Sequence, residues 1–259
     1  MERRLVFFDI DGTLLDHQKK LPDSTVQAVQ SLKKLGHEVA IATGRAPYAF
    51  KEIRETLGID SFVSLNGQYV VYQGKVIYKN PIDSAIIQSL TEFSIQKNNP
   101  ILYVGEEDMK MNVVQHDRVD ASYIPHQMDL PGYDPHYYLD REIFQCIVFC
   151  TKEEEPDYLL QFDQPLKFVR WDDVATDILP QGGSKAAGIS KFIDYVGVNR
   201  EEVVAFGDHL NDIEMLQFVG HGVAMGNALE AVKRIARYTT KDVGQNGIRY
   251  GLQKLGLIK

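Results

Sequence analysis

The 259-residue sequence predicts a doubly wound α/β fold with a largely parallel sheet and an inserted α+β segment. Three observations lead there. Short apolar runs alternate with helical stretches near both ends of the chain. Polar, oxygen-bearing residues follow those runs directly. The middle of the chain drops the alternation and becomes rich in aromatic and proline loops.

The elements follow in order. "RLVFF" reads as a buried strand. "PDSTVQAVQSLKKLG" places Val26, Val29, Leu32 and Leu35 three apart, opened by Pro22 and stopped by Gly36, which is helical spacing. "EVAIA" is a second strand and "PYAFKEIRETLG" a second helix, again between Pro and Gly. "SFVSL" is a third strand, and "QYVVY" with "KVIYK" forms a hairpin across Gln73-Gly74. This βαβαβ order implies parallel pairing with right-handed crossovers. From about Pro81 to Gly183 come one helix, "SAIIQSLTEFSIQ", and short strands such as "ILYV", "MKMNVV" and "IFQCIVFC". The last quarter returns to strand and helix in turn: "SKAAGISKFIDYVG", "VVAFG", "NDIEMLQFVG", "HGVAM" and "ALEAVKRIA".

Bulk properties narrow the class. The chain is 44% hydrophobic and 25% charged, ordinary for a globular protein, and its net charge of −8 argues against nucleic acid or an anionic membrane as partner. No apolar segment approaches the roughly 20 residues that cross a bilayer, and a cytoplasmic location is expected. Cys146 and Cys150 lie four apart in an apolar strand candidate. That spacing holds the thiols about 13 Å apart, too far for a disulfide, so they read as packing residues.

Ligands of doubly wound sheets sit beyond the carboxyl ends of the strands. After "RLVFF" come Asp9 and Asp11, after "EVAIA" Thr43 and Gly44, and after "VVAFG" Asp208, Asn211 and Asp212. Parallel neighbours would gather these groups at one edge, in an oxygen-rich cluster suited to a hard divalent cation, Mg2+ first. An EF-hand loop from Asp9 is excluded, because Leu14 and Lys20 occupy the positions that require Gly and Glu. Clustered carboxylates repel, so either a cation or a raised pKa is expected there. Both suit phosphoryl transfer, in which one aspartate attacks phosphorus and a second carries the proton. Taken alone, Asp9-x-Asp11-Gly12 reads first as a turn, and the acids that follow a second buried strand reverse that preference. "QGGSKAAGI" sets Lys185 in the first turn of a helix, where a cation opposes the dipole at a cost of ~0.3–1 kcal/mol if exposed. An anion held at that place would explain it.

"DIDGTLL", "ATGR", "GGSK" and "GDHLND", in this order, resemble the four motifs of the haloacid dehalogenase superfamily. With about 140 residues between the second and third, they are most similar to its Cof-type phosphatases, whose C2 (IIB) cap is inserted there. The resemblance implies a Rossmann-like core over 1–81 and 186–259 and a cap over 82–185. It implies Asp9 as nucleophile and Mg2+ ligand, and Asp11 as general acid/base that also binds Mg2+ through its carbonyl. Ile10, Thr43, Gly44, Lys185 and Asn211 would hold the phosphoryl group. Asp208 would complete the metal site, with Asp212 near the metal or supporting Lys185. Thr13 marks phosphatases rather than dehalogenases.

The activity so implied is Mg2+-dependent hydrolysis of a small phosphorylated metabolite through an aspartyl-phosphate. A phosphotransferase or mutase uses the same motifs, and a non-catalytic phosphometabolite binder could share the fold. Cap contacts to a leaving group are sought around His116–Arg118, His126 and Tyr133–Tyr138, although solvated loops are the plainer reading. Trp171 reads as cap packing. No oligomeric state is legible.

Overall fold

The computed structural model describes residues 3–125, 129–162 and 164–259. In chain order the elements are β1 (Leu5–Phe8), α1 (Asp23–Lys34), β2 (Glu38–Ala42), α2 (Lys51–Leu57), β3 (Phe62–Ser64), β4 (Tyr69–Tyr72) and β5 (Lys75–Lys79). Then follow α3 (Ser84–Gln96), β6 (Ile101–Val104), β7 (Met109–Met111), α4 (Asp117–Tyr123), β8 (Gly132–Tyr133), β9 (Gln145–Val148), α5 (Glu155–Phe162), β10 (Leu166–Asp172) and β11 (Ala175–Pro180). The chain ends with α6 (Lys185–Val196), β12 (Val203–Gly207), α7 (Ile213–Phe218), β13 (His221–Ala224), α8 (Glu230–Ile235), β14 (Tyr238–Thr239) and α9 (Gly247–Lys254).

Residue contacts divide the chain into two compact units. The first comprises Met1–Arg45, Ala49–Lys79 and Ser184–Lys259; the second comprises Ala46–Tyr48 and Asn80–Gly183. Against the expected insert at 82–185, each junction falls two residues earlier. The physical reason is that Lys185 already belongs to α6, which packs on β3, β4 and β5 of the first unit.

The first unit is built on one eight-stranded sheet in the order β14-β13-β12-β1-β2-β3-β4-β5. It is parallel from β14 to β3, with β4 and β5 added as an antiparallel edge. Buried on both faces, β1 and β12 read as continuous apolar runs, as parallel strands must. Leu5, Phe7, Ala40 and Ala42 face Ile189 and Phe192 of α6 and Met215 and Leu216 of α7 in one core. On the other side α1 packs against β2 and touches α2 and α9. The β4–β5 turn places Gln73 and Gly74 both at positive φ, the conformation a two-residue hairpin needs. Pro47–Phe50 forms a 3-10 turn instead of opening the second helix.

The second unit carries a six-stranded sheet, β10-β11-β9-β6-β7-β8. It is antiparallel except where β8 runs parallel to β7. Ile87 and Leu90 of α3 and Tyr158 and Phe162 of α5 join Ile101, Tyr103, Cys146, Val148 and Ile178 in one apolar cluster. Several loop candidates prove to be scaffold. Tyr137 and Tyr138 belong to this core. The His116 side chain accepts the Arg118 N–H and so caps α4. Arg118 is tied to Asn99 and Glu154. Tyr133 is exposed on β8. His126 lies outside the described residues.

Cys146 and Cys150 are both free and fully buried, and burial pushes both thiols up. Ellman's reagent should therefore find no reactive thiol in the native protein and two after denaturation. Rapid labelling of the native chain would contradict this packing.

Candidate active site

The parallel register assembles the site. Phe8 pairs with Ile41 on one side and Phe206 on the other, so the residues just past β1, β2 and β12 emerge together. The main chain of Asp9 is fixed there, its N–H donating to the Phe206 carbonyl at 3.0 Å. Gly12 at φ +74 lets the turn close on β12: a Cβ there would stand 2.3 Å from Oδ2 of Asp208. Thr13 then donates from Oγ1 to Oδ1 of Asp208 at 3.0 Å.

Lys185 occupies the centre. Its side chain is 1% exposed, and Nζ donates to Oδ1 of Asp9 and to Oδ1 of Asp212, each at 2.6 Å. Burial by itself would push this lysine down; Asp212 and Asp9 outweigh that and push it up, so it stays charged. The other oxygen of Asp212 accepts the main-chain N–H of Asp208 and of His209, at 2.8 and 3.0 Å. Asp212 thus shapes the loop that carries Asp208 as well as orienting the lysine. Burial, with repulsion from Asp212 and Asp208, pushes Asp9 up against the pull of Lys185. The same two causes, burial and Asp212, push Asp208 up to about 7.

Asp11 is treated in the opposite way. Burial would raise it, but Arg45 and Lys19 prevail and hold it down to about 2. Arg45 grips both carboxylate oxygens, Nε to Oδ2 at 2.8 Å and a terminal nitrogen to Oδ1 at 2.7 Å, and Lys19 Nζ reaches Oδ1 at 2.7 Å. A bidentate guanidinium fixes orientation as well as charge.

Thr43 and Gly44 stand at the end of β2, with the Thr43 N–H on the Val63 carbonyl at 2.8 Å and Oγ1 accepting the Arg45 N–H at 3.1 Å. Asn66 closes this side. Its N–H donates to the Thr43 carbonyl, its side chain abuts Gly44, and its Oδ1 accepts from Asn211 at 3.3 Å. Ile10 follows Asp9 with a buried side chain, its carbonyl accepting the Leu15 N–H at 2.8 Å. Arg45, Lys19, Asn66 and Asn227 were not singled out from the sequence. Asn227 bridges the Gly12 carbonyl and the Val243 N–H. Asn66 and Asn227 follow β3 and β13, so the rule that ligands lie past parallel strands reaches them when applied to every strand.

Glycine contacts seat the lysine helix. A Cβ on Gly188 would lie 2.4 Å from Cγ1 of Val63 and 2.7 Å from the Gly67 Cα. Leu65, Asn66 and Gly67 all have positive φ, at 51°, 51° and 95°. Left-handed backbone is costly for leucine, and such strain concentrates at working sites. At its N-terminus α6 is capped by Ser184, whose Oγ accepts the Ala187 N–H.

Asp9, Asp208 and Asp212 each present an oxygen within 4.8 Å of the others. A single ammonium faces three carboxylates, two of them pushed up, and all the donors are hard oxygens. That set fits a hard divalent cation.

Two outcomes follow. Asp208 holds its proton in the folded state from its ordinary 3.8 up to about 7, so folded stability falls as pH rises through that window. In divalent-free buffer Tm should be lower at about pH 8 than at about pH 5.5, and Asp208→Asn should raise it at the higher pH and narrow the difference. Gly188→Ala should cost about 1–3 kcal/mol in urea denaturation and lower turnover by displacing Lys185.

The comparisons agree with this geometry. The sequence profile of the haloacid dehalogenase-like hydrolases matches residues 6–252. A Bacillus subtilis (strain 168) protein whose phosphatase name is provisional is 44% identical, over 100% of both chains. A structure of a hypothetical protein from Geobacillus kaustophilus HTA426 is 51% identical and superposes with a TM-score of 0.94, covering 99% of this chain and 100% of the other. A sugar phosphatase of haloacid dehalogenase subclass IIB is 30% identical with a TM-score of 0.86, covering 98% and 100%. The chain belongs to the haloacid dehalogenase-like hydrolases and is a phosphatase of their Cof type.

Proposed function

We propose that the protein hydrolyses small phosphorylated metabolites, Mg2+-dependently, through an aspartyl-phosphate on Asp9. The observation that carries this reading is the setting of Asp9. It is a buried carboxylate at a strand end with Oδ1 held by Lys185, and Oδ2 accepts no hydrogen bond from the described residues. Asp9 and Asp208 would hold the cation through their carboxylates, with the Asp11 carbonyl beside them, and Asp212 would orient Lys185 and the Asp208 loop. Bound there, Mg2+ would supply a Lewis acid that offsets the carboxylate charge and polarises the phosphoryl oxygens.

Oδ2 of Asp9 attacks phosphorus while the bond to the leaving oxygen breaks. Lys185, the Thr43 hydroxyl, the amides of Ile10 and Gly44, and Asn211 meet the charge on the phosphoryl oxygens. The leaving oxygen takes a proton from Asp11, which later takes one from the water that attacks the aspartyl-phosphate. Phosphate departs and the Asp9 carboxylate is restored. With Arg45 and Lys19 in place Asp11 is ionised, the form that suits the second step. For the first it must part from them and take up a proton from solvent before the leaving oxygen receives it. The subclass IIB relative acts on sugar phosphates, which supports small phosphorylated metabolites as the substrate class.

Para-nitrophenyl phosphate tests this reading. Wild type should release nitrophenol with Mg2+ and lose that activity in EDTA, and Asp9→Asn should lower kcat by at least about a thousandfold. Undiminished turnover by the variant, or release without a divalent ion, would overturn the mechanism.

A further inference from the structure

One buried turn of the first unit lies against three phosphoryl-binding groups, yet the mechanism above gives it no part. Leu65–Gly67 follows β3, and all three residues are buried with left-handed backbone. The Leu65 N–H donates to the Arg45 carbonyl and the Asn66 N–H to the Thr43 carbonyl, each at 3.1 Å, which straps the turn to the end of β2. Gly67 lies against the start of α6. A Cβ there would stand 2.0 Å from the Ser184 carbonyl oxygen and 3.1 Å from the Gly188 nitrogen. The turn thus joins the segment that carries Thr43 and Gly44 to the helix that carries Lys185.

The Asn66 side chain makes a third connection. Its Oδ1 accepts from Nδ2 of Asn211 at 3.3 Å, across 145 residues of sequence. Among the described residues that is the one hydrogen bond of the Asn211 side chain. A primary amide has a donor end and an acceptor end of nearly the same shape, so its partners decide which end faces a ligand. With one N–H of Asn211 held by Asn66, the other is left for a phosphoryl oxygen. Without that hold the amide can turn over and present its own oxygen, which repels an anion.

The same side chain packs on Gly44. A Cβ at Gly44 would stand 3.1 Å from both Nδ2 and Oδ1 of Asn66. Gly44 does not have positive φ, so lack of room is what calls for glycine there. Backbone conformation alone does not account for asparagine at 66. Glycine meets a left-handed φ at no steric cost, and the chain uses it at the next position. What glycine lacks is the amide that Asn211 and Gly44 both meet.

We propose that Asn66 is a positioning residue of the phosphoryl site, holding the Asn211 amide with its donor end toward the phosphoryl oxygens and backing the Gly44 main chain. This rests on the phosphatase reading above and adds to it a residue that acts through its neighbours.

A double-mutant cycle tests the assignment on the full chain with Mg2+ and para-nitrophenyl phosphate. Asn66→Gly, which fits the backbone and removes the amide, should lower kcat/KM at least about tenfold, and Asn211→Ala should do the same. The double variant should stay within about twofold of Asn211→Ala, since Asn66 then has no amide to orient. Gly44→Ala should cost at least about fivefold in the wild-type background and less than about twofold beside Asn66→Gly, where its methyl group has room. Asn66→Ala carries the same cycle if Asn66→Gly fails to fold. Wild-type kcat/KM in Asn66→Gly, losses that multiply in the double variant, or an undiminished Gly44→Ala penalty beside Asn66→Gly would overturn the proposal. Calorimetric titration with inorganic phosphate reads the same cycle as Kd without turnover. There Asn66→Gly should raise Kd at least about fivefold, and an unchanged Kd would equally overturn the proposal. Failure of wild type to cleave para-nitrophenyl phosphate would count against the phosphatase mechanism alone, since the phosphate-binding arm stands without it.

Discussion

The ammonium of Lys185, held between Asp9 and Asp212, is the contact on which the rest of the first unit depends. It is withdrawn from water, and removing one partner of such a buried pair generally costs about 3–5 kcal/mol. Its position also demands everything around it. The parallel strands must end in register to bring Asp9 beside the Asp208 loop. The first turn of α6 must approach β3 closely enough for Gly188 to touch Gly67, and Ser184 must cap that turn. A lysine at a helix N-terminus opposes the dipole, and here two carboxylates repay that opposition.

Around this contact the site sorts its acids by environment. Asp9 and Asp11 are two residues apart, yet burial and neighbouring acids push the first up while Arg45 and Lys19 hold the second down. Two titratable groups driven in opposite directions can take different parts in a reaction. The cost falls on the fold, since Asp208 and Asp9 are more comfortable protonated than ionised when no cation is near. A site that binds a cation well is in this sense a site that the empty protein tolerates poorly.

The second unit divides its labour between the two faces of one sheet. The face toward α3 and α5 is apolar and closes the core. The other carries Gln145 and Asp177, with Asp177 paired to Ile147. Arg118, Glu154, Glu155 and Arg170 are consumed in tying loops to the helices, Arg170 reaching Glu155 and the Cys150 carbonyl. Polar side chains on loops thus turned out to be scaffold.

Local pattern determined a great deal by itself. The period of the apolar residues announced the parallel strands and their helices, and the acids after β1 and β12 announced the site, because a strand end is a local property of the chain. Lys185 was legible as a misplaced cation before its partners were known. What only the tertiary structure decided is which groups meet. Arg45 and Lys19 on Asp11, Asn66 on Asn211, and Asn227 on Gly12 join residues far apart in sequence through side chains too common to stand out. The same holds for Asp177, whose segment "WDDVATDIL" looks like ordinary strand until the cross-strand register sets it against Ile147 of β9. Hydrophobic period is written along the chain, whereas the balance of charge around one carboxyl exists only once the strands have paired.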